Sequence, residues 1–176
     1  MEFGSLVKVP DGRYYLKVSG SNRAQFNNIM TDSFMGKPIL LSLNDQQTEQ
    51  IKSLESQVLE RAKKNSVEWF SREIAEATIE KAFQSSLSTG SFEVALSSSK
   101  GRVTTTFWNT DKTQKELDSD WSSGADIIVE LSGVWFLKRS FGPIFKILQV
   151  KSTKPKKVVE YLFKDEDPSD DEDYLD

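Results

Sequence analysis

The chain has 176 residues, 37% hydrophobic and 28% charged, which suits one domain with a hydrophobic core, and its net charge is −4. It contains neither cysteine nor histidine, which excludes disulfides, thiolate chemistry, Ser-His catalysis and the usual zinc sites. No apolar run reaches the roughly 18 residues of a membrane span, and the N-terminus lacks a secretory pattern, so we expect no membrane contact and no secretion.

The first elements are predicted to be strands. Residues 1–5, MEFGS, resemble a vector-derived extension, and we expect the folded domain to occupy residues 6–163. The segment 13–20, RYYLKVSG, has the composition of a strand and follows the turn signal Asp-Gly. Residues 20–33 mix turn formers with scattered apolar residues and predict a loop, after which 37–43, KPILLSL, reads as a second strand.

Two helical units are predicted to follow. The first is capped by Asn44 or Asp45 and extends to Asn65, with one apolar stripe at a spacing of three and four residues. The second is expected to be capped by Ser71, with two glutamates in its first turn and apolar residues on one side. Trp69 and Phe70 open this unit and are interpreted as core residues. The apolar stripe of the first helix comprises Ile51, Leu54, Val58, Leu59 and Ala62.

The remainder of the chain returns to strands. A short strand is predicted at 92–96, a second at 102–108, and a polar connection after it in which Trp121 packs back on the domain. Residues 125–137 and 143–151 predict an antiparallel hairpin. About five strands and one or two helices indicate an α+β, mainly β fold, with a small barrel as the expected architecture. The hairpin residues predicted to face the core are Ile127, Val129, Leu131, Ile144, Leu148 and Val150, joined by Trp135 or Phe136.

The segment from residue 131 to residue 159 contains seven Lys and Arg residues and no Asp or Glu. Solvated faces usually mix both signs, so this composition favours an anionic ligand over a merely solvated face. Trp108 lies on the same predicted strand face as Arg102, where it either stacks on a base or packs against a loop. The seven cations are Lys138, Arg139, Lys146, Lys151, Lys154, Lys156 and Lys157.

The C-terminal segment 164–176 is predicted to be a flexible acidic tail. Residues 165–176 hold eight of the 27 acidic residues, which leaves 19 acids against 23 basic residues in the rest of the chain. The domain is therefore about +4 and the tail −8. A tail of this kind is either a solubilising end or a docking segment for a partner. The predicted partner-binding residues are Asp170, Asp171, Glu172, Asp173, Tyr174 and Leu175.

Three segments resemble a known family. They are 41–65 (LSLNDQQTEQIKSLESQVLERAKKN), 66–74 (SVEWFSREI) and 132–151 (SGVWFLKRSFGPIFKILQVK). Together they are similar to the single-stranded DNA-binding proteins of large eukaryotic DNA viruses and short-tailed phages. The resemblance implies an OB-fold barrel with an inserted helix, binding without strong sequence preference, and an acidic tail that meets replication partners. It also implies a location at the site of viral replication, in the nucleus or cytoplasm.

These features predict a non-enzymatic single-stranded DNA-binding protein of replication, recombination or repair, with no cofactor and no metal. Two alternatives stay open: a protein-interaction adaptor whose basic run meets an acidic partner, and a single-stranded RNA-binding protein. A homodimer is also compatible with the sequence. The predicted nucleic-acid-binding residues are Arg102, Trp108, Trp135, Lys138, Arg139, Phe141, Lys146 and Lys151.

Overall fold

A computed structural model describes residues 1–31, 33–117, 121 and 124–153 of the protein. Within them lie eleven strands and three helices, in an α+β, mainly β arrangement that confirms the predicted class. In chain order they are β1 (Glu2–Phe3), β2 (Val7–Lys8), β3 (Tyr14–Ser19), β4 (Arg23–Ile29), β5 (Ile39–Leu41), α1 (Asp45–Lys64), α2 (Ser66–Phe70), α3 (Glu76–Ala82), β6 (Phe92–Leu96), β7 (Ser98–Ser99), β8 (Arg102–Val103), β9 (Thr106–Trp108), β10 (Ala125–Phe136) and β11 (Phe141–Ser152).

The centre of the fold is the antiparallel hairpin of β10 and β11, as the sequence predicts. Each strand has 12 residues, which is about 40 Å of chain at roughly 3.3 Å per residue. This length allows each strand to pair with two partners in succession on its other edge. Strand β10 pairs with β4 near Ala125 and with β3 near Phe136, while β11 pairs in parallel with β6 and then with β9.

The strands that the structure describes form an open sheet. Its main path runs β1-β3-β10-β11-β6-β5, with β2, β4 and β9 attached at the side and β7-β8 forming a separate ribbon. The ends of this path do not pair with each other, so these strands do not close into the predicted five-stranded barrel. Strand β1 pairs with β3 and β5 pairs with β6, so no hydrogen-bonded ladder joins the two outer strands among those that the structure describes.

The helices cover one face of the hairpin. Helix α1 begins with a capping box, in which the Asn44 side chain accepts from the Gln47 backbone N–H and the Gln47 side chain accepts from the Asn44 N–H. Its apolar stripe packs with the inner residues of the sheet in one core. The buried Glu55 carboxylate accepts three hydrogen bonds from Ser85 and Ser86, at 2.6–2.8 Å, and so ties α1 to the loop after α3.

Aromatic rings fill both ends of the core. At one end Phe136 and Phe141 stack at 5.9 Å between ring centroids, with Trp69 against Phe136 at 5.5 Å. At the other end the fully buried Trp121 contacts Phe34 and Phe107, which confirms that Trp121 packs back on the domain. The residues of the polar connection that the structure describes are therefore anchored by this ring. Trp69 is buried too, as predicted.

Two predicted elements are wrong. Residues 23–29 form strand β4 instead of a loop. Its apolar residues Phe26 and Ile29 are three apart because Asn28 adopts a left-handed conformation with φ of 56°, which disturbs the period of two. The second helical unit is divided into α2 and α3, because Ser71 is also left-handed (φ 62°) and ends α2 instead of capping a helix. Helix α3 begins after Ala75.

The faces of two strands also differ from expectation. Phe145 and Ile147 enter the core in place of Ile144 and Leu148, which are half-buried. The cause is a bulge at Leu148, where Ile128 pairs with Gln149 and the next residue, Val129, pairs with Ile147. The predicted strand 102–108 would place Val103, Thr105 and Phe107 on one face. The strand is interrupted between β8 and β9, so this prediction holds only in part. Phe107 and Thr105 are buried, but Val103 is 50% exposed.

Candidate nucleic-acid interface

The hairpin face that points away from the helices carries the residues of interest, and we call it the outer face. On β10 it presents the half-buried side chains that alternate with the buried ones, and on β11 it presents half-buried side chains followed by the exposed Gln149 and Lys151. In-register neighbours on β3, β4 and β9 extend it sideways. Its members on the two central strands are Asp126, Ile128, Glu130, Ser132, Trp135, Ile144, Lys146, Gln149 and Lys151.

Two bulges decide which residues reach this face. The register shift between Leu131 and Gly133 moves Trp135 onto the side of Ser132 and leaves Phe136 in the core. The bulge at Leu148 similarly places Lys151 on the side of Lys146, although these lysines are five positions apart. Without the bulges, a strict period of two would send one member of each pair into the core.

Two aromatic rings lie over glycines on this face. A Cβ atom on Gly133 would stand 2.2 Å from the Tyr15 ring, and one on Gly142 would stand 2.9 Å from the Trp135 ring. The rings therefore occupy the space above the glycine backbone, which is how aromatic residues cover glycines in sheets. The Tyr15 hydroxyl donates to the Ser132 carbonyl at 3.1 Å. Both rings are half-buried, so part of each contacts solvent.

A cleft of about 370 Å³ opens at the other end of the outer face, beside Trp108. Trp108 is half-buried and pairs in register with Lys151, and its Nε1 donates to the Thr106 hydroxyl at 2.9 Å. The amides Gln25 and Gln149 also line this cleft, with Asn109 and Lys112 from the turn after β9. An indole beside cations and amides offers stacking, charge and hydrogen bonds in one place.

The outer face has mixed charge, which the sequence window does not suggest. Asp126 pairs in register with Lys151 and stands 3.7 Å from its Nζ, and Glu130 faces Lys146 across the hairpin and bonds Arg23 at 3.0 Å. Strand β10 thus supplies the acids that the window 131–159 lacks. Exposed Lys17 and half-buried Lys146 form no ion pair within the described part of the chain. Exposed Glu93 of β6 lies near the Trp135 end.

The predicted site residues are divided among several places. Trp108, Trp135, Lys146 and Lys151 share the outer face. Arg102 is exposed on β8, next to a groove that Lys146 also lines. Lys138 and Arg139 are exposed in the turn between β10 and β11, about 33 Å along β11 from Lys151 at roughly 3.3 Å per residue.

Phe141 does not belong to the site. Its side chain is fully buried between Phe70, Phe83 and Phe136, so it cannot stack on a ligand, and the prediction for this residue is wrong. It begins β11 with its ring toward the helices, on the face that Phe145 and Ile147 continue. The sequence prediction assigned Trp135 and Phe141 to the site and left open whether Trp135 or Phe136 joins the core, whereas strand parity separates Trp135 from Phe136 and Phe141.

Sequence reasoning missed Tyr15, Lys17 and the amides of the Trp108 cleft. The alternation in YYLKVS places residues 15 and 17 on one face, but only the pairing of β3 with β10 shows that this is the outer face. The predicted tail residues lie outside the described residues, as do Lys154, Lys156 and Lys157. The predicted tail residues are Asp170, Asp171, Glu172, Asp173, Tyr174 and Leu175.

The described residues contain no group of three or more acidic residues arranged to hold a metal ion. In the same part of the chain, no helix is both long and apolar enough to cross a membrane.

The fold and the outer face define a mainly β domain whose exposed strand face carries aromatic and basic side chains. The chain belongs to the Family of unknown function (DUF5871), whose model matches residues 27–165. No curated protein and no solved structure matches it.

Proposed function

We propose that the protein is a non-enzymatic single-stranded DNA-binding protein that holds the strand along its outer face. In this proposal it serves replication, recombination or repair, in a viral setting, and its acidic tail recruits partner proteins. The proposal includes a relationship to the OB-fold, which is itself a partly open barrel that binds oligonucleotides on a strand face. The sequence resemblance and the outer face support the same function.

The observation that carries the proposal is the sharing of one face by Trp108, Trp135, Lys146 and Lys151. These residues come from three strands and reach the same side through two bulges. Single-strand binders combine cations that follow the backbone with aromatic rings on which bases stack. An indole at each end of the hairpin, with lysines between them, provides this combination. Tyr15, beside Trp135, adds a third ring.

The chemistry of the face favours a single strand over a duplex. Stacking on a protein ring requires a base whose π-face is free, and duplex bases are already stacked on each other. The Trp108 cleft offers Gln25, Gln149 and Asn109, whose amides can bond the base edges that a single strand exposes. The paired acids Asp126 and Glu130 lower the positive potential of the face. We therefore expect a modest electrostatic contribution and a larger share from stacking.

The test is a fluorescence titration with oligothymidine. Stacking should quench tryptophan emission, and Trp108→Phe and Trp135→Phe should each remove part of the quench. The slope of log affinity against log salt should be about −0.7 per phosphate contact, near −2 for roughly three contacts. Matched titrations with duplex DNA and oligouridine should show weaker duplex binding and rank DNA against RNA. A preference for duplex, or an unquenched signal at saturation, would refute the proposal.

A further inference from the structure

A second cleft lies on the opposite side of the sheet from the outer face, at the turn of the central hairpin. We call it the tip cleft. It measures about 590 Å³ and is bounded by α2, by the residues after it, and by the β10–β11 turn. Its lining includes the buried Trp69 and Phe136, which belong to the core side of the sheet. It therefore cannot be part of a ligand track along the outer face.

The tip cleft carries an excess of positive charge. Arg13, Arg72 and Lys138 line it, and the acid that lines it with them is Asp11. Asp11 is occupied, because Arg13 Nε donates to its Oδ2 at 2.7 Å and the Arg13 backbone N–H donates to Oδ1 at 3.0 Å. This pairing holds the pKa of Asp11 below its usual value. Arg72 and Lys138 make no ion pair within the described residues, and exposed Arg139 follows Lys138.

The rim of the tip cleft is apolar and unusually exposed. Leu137 is 49% exposed and Tyr14 is 45% exposed, and half-buried Leu6 and Ile74 complete the apolar rim. Covering large apolar side chains of this kind with a ligand removes them from water and therefore favours binding. An apolar rim with cations at its edge fits a ligand that has an apolar side chain between negative groups.

The polar side chains distinguish a peptide from a nucleic acid here. Among the described residues that line the tip cleft there is no Asn or Gln, whereas the Trp108 cleft holds three of them. Amide side chains offer both donors and acceptors to base edges, whereas Arg and Lys only donate and so suit carboxylates. Aliphatic Leu6, Ile74 and Leu137 suit a leucine or similar anchor better than a planar base. We infer that the tip cleft docks an acidic peptide segment of a partner protein, with one apolar side chain seated between Tyr14 and Leu137.

The experiment uses the full chain and a fluorescein-labelled twelve-residue peptide with eight carboxylates around one leucine. Anisotropy should report binding that weakens as salt rises, and that falls at least fivefold when serine replaces the leucine. The variant Arg72→Glu/Lys138→Glu should lose at least tenfold in peptide affinity. The control Lys64→Glu/Lys81→Glu makes the same charge change on exposed helix positions and should bind the peptide as the wild type does.

Two further arms identify the occupant. The sequence predicted Lys138 as a nucleic-acid-binding residue, but it lies in the β10–β11 turn and outside the outer face that the proposed function assigns to the strand. Oligothymidine affinity should therefore change less than twofold in Arg72→Glu/Lys138→Glu, so failure here is separable from failure of the outer-face proposal. Loss of oligothymidine binding with peptide binding intact would assign the tip cleft to nucleic acid and overturn the inference. The variant Asp170→Asn/Asp171→Asn/Glu172→Gln/Asp173→Asn removes four of the eight carboxylates of the chain's own tail. A tenfold gain in peptide affinity on this change would make the tail the occupant, and would overturn the assignment to a partner.

Discussion

Replacing Trp108 by alanine separates a binding role from a structural one. The ring is half-buried, and full burial of a large apolar side chain contributes about 1.5–3 kcal/mol. About half of that, roughly 0.8–1.5 kcal/mol of folding free energy, should be lost. If the indole stacks on a base, DNA binding should lose a further 1–3 kcal/mol, which is about 5- to 150-fold in Kd. Trp108→Phe should keep most of the stacking.

Trp121 provides the matched control. Its side chain is fully buried against Phe34 and Phe107, so Trp121→Ala should cost about 3–5 kcal/mol of stability. Urea denaturation of both variants, with oligothymidine titration of each folded protein, gives the two free energies separately. The reasoning fails if Trp108→Ala destabilises the protein as strongly as Trp121→Ala while DNA affinity stays at the wild-type value. In that case the indole of Trp108 is a core residue.

Three further predictions concern stability. Gly133→Ala would place a Cβ atom 2.2 Å from the Tyr15 ring and 2.6 Å from the Leu16 carbonyl oxygen, so both the ring and the β3 backbone must move, and a loss of about 1–3 kcal/mol is expected in urea denaturation. Burial, with a smaller effect from the Glu130 charge, raises the pKa of Tyr15. The stabilisation that this raised pKa contributes to the folded state is complete below the pKa of about 10 in the unfolded chain. It is lost as pH rises through the higher pKa in the folded protein, so Tyr15→Phe should flatten the fall in melting temperature at alkaline pH. Glu55→Ala leaves three half-buried donors of Ser85 and Ser86 without their acceptor and should cost about 1–3 kcal/mol. Exposed Glu49→Ala should stay within about 0.5 kcal/mol, and equal effects of the two changes would contradict a stabilising role for the Glu55 hydrogen bonds.

The sequence predicts the parts of this fold that depend on local pattern. Helix α1 follows from its capping residues and apolar stripe, and the central hairpin follows from two long β-rich runs. The local pattern does not predict strand β4 at residues 23–29, because Asn28 adopts a left-handed conformation in the middle of the strand. That conformation is stabilised from outside, since the Asn28 N–H donates to the Asp126 carboxylate nearly a hundred residues later in the chain. A prediction from the local sequence pattern cannot include a hydrogen bond to so distant a residue.

The candidate site shows the same limit. The lysines and tryptophans of the basic run are visible in the sequence, but which of them share a face depends on bulges at Leu131–Gly133 and Leu148. The apparent lack of acids in the run is also a property of the sequence alone. Asp126 and Glu130 stand just before the window in sequence and directly across from Lys151 and Lys146 in space. A charge count along β11 omits the acidic side chains that the neighbouring strand β10 places beside it.

The position of the central hairpin has a consequence for synthesis on the ribosome. Strands β3 and β4 are made early, yet their partner β10 begins at Ala125, about a hundred residues after the end of β4. At about 5–20 residues per second, these strands wait roughly 5–20 s for the pairing edge that completes them. During that interval β3 has its neighbours β1 and β2 but lacks β10, and β4 lacks β10 as well, so the edges that face β10 stay unpaired and can attract other nascent chains. The many polar residues of β4 reduce its tendency to aggregate while it waits, which gives a reason for the composition that makes it resemble a loop.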